Sequence, residues 1–312
     1  MGNSQARLRA IELSGDARHV KGPLRGYHHE TYVFPLQGGA RYKLRDPRPG
    51  LLWFDRRCFT SEEQLLRALS GRISRIPDVI EIDGTTLQRF IEGKTLGELL
   101  GAGCAVPPDI LGQIIGMFRQ MVEVPPESLS ADRCCISEHL RKHVSGLKER
   151  PFSLLHADLH RENLIVDDDR RLWTIDWELA VIGDPLYDVA THLHLMRYPD
   201  GQARAVARQW ADTVERVRPG SANGWRHDLP LLLGYKRAQS LITDVVRVAQ
   251  SLGACPERHW WLFAKAALKL RRVLTEAALW LGLESVPGSR QIATALVRWQ
   301  HDHGRSPGYV PA

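Results

Sequence analysis

Asp158 and Asn163 stand five residues apart, and Asp176 follows Asp158 by eighteen. A hydroxyl that is to attack phosphorus needs a carboxylate to orient it and take its proton. A triphosphate needs Mg²⁺, a hard cation that prefers oxygen donors such as an amide carbonyl and a carboxylate. Asp158, then Asn163, then Asp176 have the types and spacing of a phosphoryl-transfer loop followed by its metal-binding Asp. The flanking Leu154-Leu155 and Leu164-Ile165-Val166 read as strand ends, which puts the segment from His156 to Asn163 on a loop between two strands.

Other chemistry suggested by these residues fares worse. His156 and His160 are four apart, the spacing of a helical zinc pair, but a loop between strands does not hold them on one helical face. Asp167-Asp168-Asp169 lacks the Gly and Glu that a calcium loop requires at later offsets, and a polar turn between two apolar strands accounts for it.

The blocks Leu154-Leu155-His156-Ala157-Asp158-Leu159-His160, Ile175-Asp176-Trp177-Glu178 and Gly183-Asp184-Pro185-Leu186-Tyr187-Asp188-Val189-Ala190 follow one another in order. Together they resemble the aminoglycoside phosphotransferase family, which includes choline kinase-like relatives. Its usual blocks are H-G-D-L-H-x-x-N, I-D-W/F-E and G-D-P-x-Y-D-L-A, and Ala157 stands where Gly is usual. The resemblance is dense over 154–190 and sparse elsewhere. It implies an α+β, two-lobed protein kinase-like fold, with an antiparallel sheet plus helix in a nucleotide-binding lobe (1–92) and a mainly helical catalytic and acceptor-binding lobe (93–312). It also implies ATP or GTP as co-substrate, Mg²⁺ held by Asn163 and Asp176, and Asp158 as catalytic base. His156 and Asp188 would brace the catalytic loop.

The amino-terminal third must supply the nucleotide site. From Gly26 to Leu36 the chain reads as strand, turn and strand, and a Gly38-Gly39 turn leads into the strand Arg41-Tyr42-Lys43-Leu44-Arg45. Lys43 and Arg45 alternate onto one strand face, so either could grip phosphates. Thr60-Ser61 offers a helix cap before Glu62-Glu63-Gln64-Leu65-Leu66-Arg67-Ala68-Leu69. Glu62 and Glu63 also suit the positive end of a helix dipole. The resemblance favours Arg45 over Lys43, makes Glu62 its carboxylate partner, and starts the phosphate-covering loop at Gly26. His28 and His29 occupy that loop's tip, in a departure from the usual small residues. Backbone groups around Phe90 and Ile91 would meet the base, with Glu92-Gly93 as the hinge. Ile80 to Gly84 and Thr86 to Ile91 read as two strands joined at a Gly turn.

The 312 residues, 43% hydrophobic and 25% charged, are those of an ordinary globular chain long enough for two lobes. No apolar run reaches transmembrane length, and the polar start lacks the apolar core of a signal peptide, so a cytoplasmic protein without membrane association is expected. Five cysteines without C-x-x-C spacing point to reduced thiols. The net charge is +6, with basic residues interleaved with acids along most of the chain, and no nucleic-acid partner is expected. Oligomeric state is not encoded in any motif.

Helical spacing marks 109–122, 136–147, a helix after Pro185, and long helices at about 229–252, 258–281 and 288–302 that would wall the acceptor site; 305–312 reads as a frayed tail. Three functions follow: phosphorylation of a small-molecule hydroxyl, for instance on an antibiotic such as an aminoglycoside; phosphorylation of Ser or Thr in a natural-product precursor peptide; and a nucleotide-binding pseudokinase. A basic chain suits a polycationic aminoglycoside less well than a peptide with an acidic leader.

Overall fold

A computed structural model describes residues 4–25, 29–36, 38–47, 58–129, 146–253 and 260–303. Gly26, His28, the expected helix at 136–147 up to residue 145, and the tail at 305–312 lie outside these residues. The chain forms two compact units, Met1–Trp225 and Arg226–Ala312. The lobe boundary expected at 92/93 falls inside the first unit.

The first unit opens with a helix that the sequence reading did not anticipate, α1 (Gln5–Ser14). Ser4 caps it by accepting from the Arg7 N–H, and Gly15 ends it in the left-handed conformation at φ 73°. Its apolar face is only Ala6, Ala10 and Leu13, too small to give a helical signal, yet it packs on Tyr32, Phe34 and Leu87. These residues belong to an antiparallel sheet in the order β1-β2-β3-β5-β4. Its strands are β1 (Lys21–Arg25), β2 (His29–Pro35), β3 (Arg41–Pro47), β4 (Val79–Ile82) and β5 (Thr85–Arg89). His29, expected at a loop tip, is the first residue of β2, paired opposite Pro47. Asp83 and Gly84 join β4 to β5 with φ of 48° and 71°, the two positive values that a two-residue hairpin turn of this twist requires. Helix α2 (Glu62–Leu69) is capped by Ser61 and buries Leu65, Leu66 and Leu69.

The chain leaves this sheet through Gly93, at φ 140°. A Cβ here would stand 2.4 Å from the Val166 carbonyl oxygen. Gly93→Ala should therefore destabilise the protein by about 2 to 4 kcal/mol, from backbone strain and overpacking together. A fall in the urea unfolding midpoint at unchanged slope would record it.

Beyond Gly93 lie β6 (Lys94–Thr95), α3 (Leu96–Leu99), α4 (Pro108–Glu123) and β7 (Ser153–Leu155), then β8 (Leu164–Val166), β9 (Leu172–Thr174) and β10 (Val181–Gly183). β6, β8 and β9 form one small sheet, and β7 pairs with β10. The Asp167-Asp168-Asp169 run is the β8–β9 turn, where Asp167 accepts from the backbone of Asp169 and Arg171 and from Trp173 Nε1. Helices α5 (Pro185–Met196) and α6 (Asp200–Val217) complete the unit. The sequence reading passed over α6, although Val206, Trp210 and Val214 line its buried face at helical spacing.

The second unit is built on α7 (Trp225–Gly253), α8 (Trp260–Ala277) and α9 (Ser289–His303), close to the three long helices expected. Val248, Leu252, Phe263, Ala267, Leu270 and Ile292 form its core. Among the described residues no helix is long and apolar enough to cross a membrane.

Candidate active site

β7 ends at a loop held from below by two buried histidines. The His156 ring Nε2 lies 3.0 Å from the Ile175 carbonyl, which can only accept, so this nitrogen carries the proton. Its Nδ1 then accepts from the Asp158 N–H at 3.3 Å, and the ring packs on Trp177 at 4.7 Å between centroids. Asp188, on α5, accepts both the His156 and the Ala157 N–H at 2.9 Å. Ala157 sits at φ 63°, a left-handed conformation that glycine adopts without penalty. The Ala-for-Gly departure in the motif is therefore a point of backbone strain.

The second support is His192, on α5. Its Nδ1 donates to the Leu159 carbonyl at 2.8 Å, which leaves Nε2 to accept from the Tyr198 hydroxyl at 2.9 Å. Burial holds its pKa down at about 4, against an ordinary value of 6.5. Burial lowers that of His156 as well. Above pH 6.5 neither folded nor unfolded His192 is charged, and its contribution to stability is complete. As pH falls from 6.5 towards 4, only the unfolded chain takes the proton, and stability is lost. Denaturant midpoints measured across this window should fall with acidification, and less steeply in His192→Gln.

The loop brings three of the expected residues together. Asn163 Nδ2 donates to the Asp158 carbonyl at 2.9 Å and approaches its carboxylate Oδ2 at 3.4 Å. That hold turns the Asn163 amide so that its oxygen remains for another partner. His160 accepts the Glu162 N–H at Nδ1 (3.1 Å), so its Nε2–H faces Asp158 Oδ2 at 3.4 Å. Burial alone would lower the His160 pKa, but the hydrogen bond and charge of Asp158, with Asp176 and Glu162 behind, raise it. Asp176 follows β9 in the left-handed region at φ 65°.

A chain of charges then runs from the sheet to Asp176. Arg45 Nη2 donates to Glu62 Oε2, with Glu63 Oε1 at 3.5 Å, while its Nη1 lies 3.6 Å from Asp176 Oδ1. The other Glu62 oxygen accepts from the Trp177 N–H at 2.9 Å and from Gln88 Nε2 at 3.3 Å. Burial opposes the charge on Glu62, but Arg45 and Lys43 outweigh it and lower its pKa. Burial and the neighbouring Glu62 raise that of Asp176, against the pull of Arg45 and Lys43. Burial first, then Asp176, pushes Glu178 up to about 7; its Oε2 lies 3.6 Å from His29 Nδ1. Burial and the adjacent Arg45 lower the pKa of Lys43.

Glu62→Ala should cost about 3 to 5 kcal/mol, the scale for removing one partner of a buried ion pair, because it takes from Arg45 its nearest carboxylate and from the Trp177 N–H its acceptor. Chemical denaturation gives the value, and the companion Arg45→Met/Glu62→Leu double variant should recover much of the loss.

Lys43, Phe90 and Ile91 line a cleft of about 210 Å³ with Leu24, Thr31, Arg89, Ile165 and Ile175. Half of its lining is aliphatic, with one aromatic ring and the two cations Lys43 and Arg89, a composition that suits a flat heterocycle bearing anionic groups. Among the described residues no three His, Cys, Asp or Glu side chains converge on a metal site. Asn163 and Asp176 nonetheless fit Mg²⁺ by their donor chemistry, since that ion is commonly held by one or two protein oxygens together with substrate phosphates.

Residues 131–219, which contain the loop, Asp176 and Asp188, match the model of the phosphotransferase enzyme family. The chain is similar in fold to the macrolide 2'-phosphotransferase MphH of Brachybacterium faecium, with TM-score 0.54, 17% identity, and coverage of 88% of this chain and 94% of that one. It is also similar to a choline/ethanolamine kinase family protein of Mesorhizobium loti, with TM-score 0.53, 18% identity, and coverage of 94% and 98%. A third likeness is to APH(2")-IIa in its gentamicin complex, with TM-score 0.53, 12% identity, and coverage of 94% and 99%. At these identities the likeness is one of fold. No curated protein matches the chain at a significant level.

Proposed function

We propose that this chain, which carries a phosphotransferase enzyme family segment over residues 131–219, moves the γ-phosphoryl group of ATP or GTP to a hydroxyl of a small molecule. The observation that carries the reading is the charge chain Glu62–Arg45–Asp176, which meets the Asp158–Asn163 loop where the N–H of Ile175, next to Asp176, donates to the Asn163 carbonyl at 3.0 Å, beside a cleft lined by Lys43. Asp158 orients the acceptor hydroxyl and takes its proton; the oxygen bonds to phosphorus as the bond to the β-phosphate breaks and the nucleoside diphosphate leaves. Lys43 and Arg45 face the phosphates, and Glu62 fixes the Arg45 guanidinium. Asn163 and Asp176 would hold Mg²⁺, which supplies neutralisation of phosphate charge when bound.

Mass spectrometry of acceptor panels with Mg-ATP and Mg-GTP tests the reading. The panel should span aminoglycosides, other hydroxylated antibiotics, choline-like alcohols and Ser-rich peptides. A product gaining one phosphate, absent with Asp158→Asn, supports phosphotransfer and gives the acceptor class. Failure to bind either nucleotide would sink it.

A further inference from the structure

The excess positive charge of the chain is not spread along it. Residues 226–312 carry twelve Lys and Arg against six Asp and Glu, a net +6, so the first 225 residues balance at thirty of each. The interleaving of bases and acids along most of the chain corresponds to the balanced first unit. Within the second unit the charge gathers on α8, which carries Lys265, Lys269, Arg271 and Arg272 against one acid, Glu276, 3.9 Å from Arg272.

That helix is also apolar on its outer face. Trp261, Lys265, Leu268 and Arg272 follow at intervals of four, three and four, so they form one stripe. Phe263, Ala267, Leu270 and Val273 occupy the buried side. Trp261 and Leu268 are each 62% exposed, and Ile242 on α7 is 67% exposed. The Lys269–Asp244 ion pair, at 2.6 Å, ties α8 to α7 within one turn of Ile242, and it neutralises an acid of this surface. Large apolar side chains left in water in this number mark a recognition surface more often than chance exposure.

We propose that the outer face of α8, with the adjoining turn of α7, docks an acidic amphipathic polypeptide segment whose carboxylates meet Lys265 and Arg272 and whose apolar side chains meet Trp261 and Leu268. Charge complementarity selects an anion, and steering by the second unit's net charge favours its approach. The alternation selects a peptide among anions. An anionic bilayer would have to bury Lys265, which lies between Trp261 and Leu268 in the stripe rather than along its rim. A nucleic-acid strand needs stacking platforms at successive bases, whereas Leu268 and Ile242 are aliphatic. Helix-in-groove and helix-on-face recognition use this i, i+4, i+7 spacing of anchors. The inference does not rest on phosphotransfer, because it uses the second unit alone.

The test uses the full chain and a fluorescein-labelled helical peptide of about 18 residues, five turns, with Glu and Leu placed to match the stripe. Anisotropy should show binding that weakens with salt. Lys265→Glu/Arg272→Glu should weaken it at least tenfold, as should Trp261→Ser/Leu268→Ser, with thermal melts confirming that both variants fold. The charge-reversed variant should instead prefer a peptide carrying Lys in place of Glu. No binding by the parent chain, or equal binding by all variants, would overturn the proposal. So would tighter binding to phosphatidylglycerol vesicles or to an oligouridine of similar charge.

Discussion

Asp158→Asn should turn over about 10²- to 10⁴-fold more slowly than the parent chain, the range for loss of a general base, with nucleotide affinity retained. The substitution keeps shape and the capacity to orient a hydroxyl, and removes only proton acceptance. The loop has little reason to collapse, because Asn163 is held chiefly by the Asp158 main-chain carbonyl at 2.9 Å and only at 3.4 Å by its side chain, which is 32% exposed. His156 and Asp188 likewise grip the backbone of this segment. Single-turnover kinetics beside calorimetric nucleotide binding separate the two effects. Near-parental turnover would exclude Asp158 as the base.

Asp176→Asn should lose metal-supported turnover down to the assay floor. An amide keeps the size of the side chain and tolerates the left-handed backbone at φ 65°, so the local fold is preserved while the anionic oxygen is gone. The effect is expected to be total because, in the proposed function, Asp176 would be the charged member of the Mg²⁺ pair, and Asn163 alone would be a weak site for a strongly hydrated dication. Arg45, 3.6 Å away, keeps its stronger partner in Glu62 and remains in place. Calorimetry should show that added Mg²⁺ no longer tightens nucleotide binding. Persistent Mg²⁺-dependent product would sink the assignment of Asp176 as a ligand.

The loop from His156 to Asn163 was legible in sequence as a loop between two strands because its residues lie close together in the chain between two apolar strand ends. The same was true of α2, where Ser61 and the two glutamates announce a helix start and Leu65, Leu66 and Leu69 its buried face. What escaped notice depends on contacts far apart in sequence. Helix α1 hides behind two small alanines, because its partner surface on β2 supplies the bulk. His192 carries no local sign that it meets the Leu159 carbonyl 33 residues away. The choice between Lys43 and Arg45 cannot be made from alternation, since both point the same way; the reach of a guanidinium to Glu62 and Asp176 decides which one joins the two carboxylates. The strain at Ala157 was overlooked for a simpler reason: Gly and Ala are close in size but not in the backbone angles they accept.

Glu62 uses its two oxygens on different parts of the molecule, Oε2 on Arg45 of the sheet and Oε1 on the Trp177 amide, next to Asp176. One carboxylate thus reports the position of α2 to the residue that follows Asp176. A ligand that draws Arg45 towards its phosphates must also act on the backbone at 176–177, and thermodynamic reciprocity then requires occupancy at Asp176 to alter affinity at Arg45 by the same factor. On the proposed function, nucleotide and cation would therefore bind as linked events, with the size of that linkage set by a side chain that need touch neither.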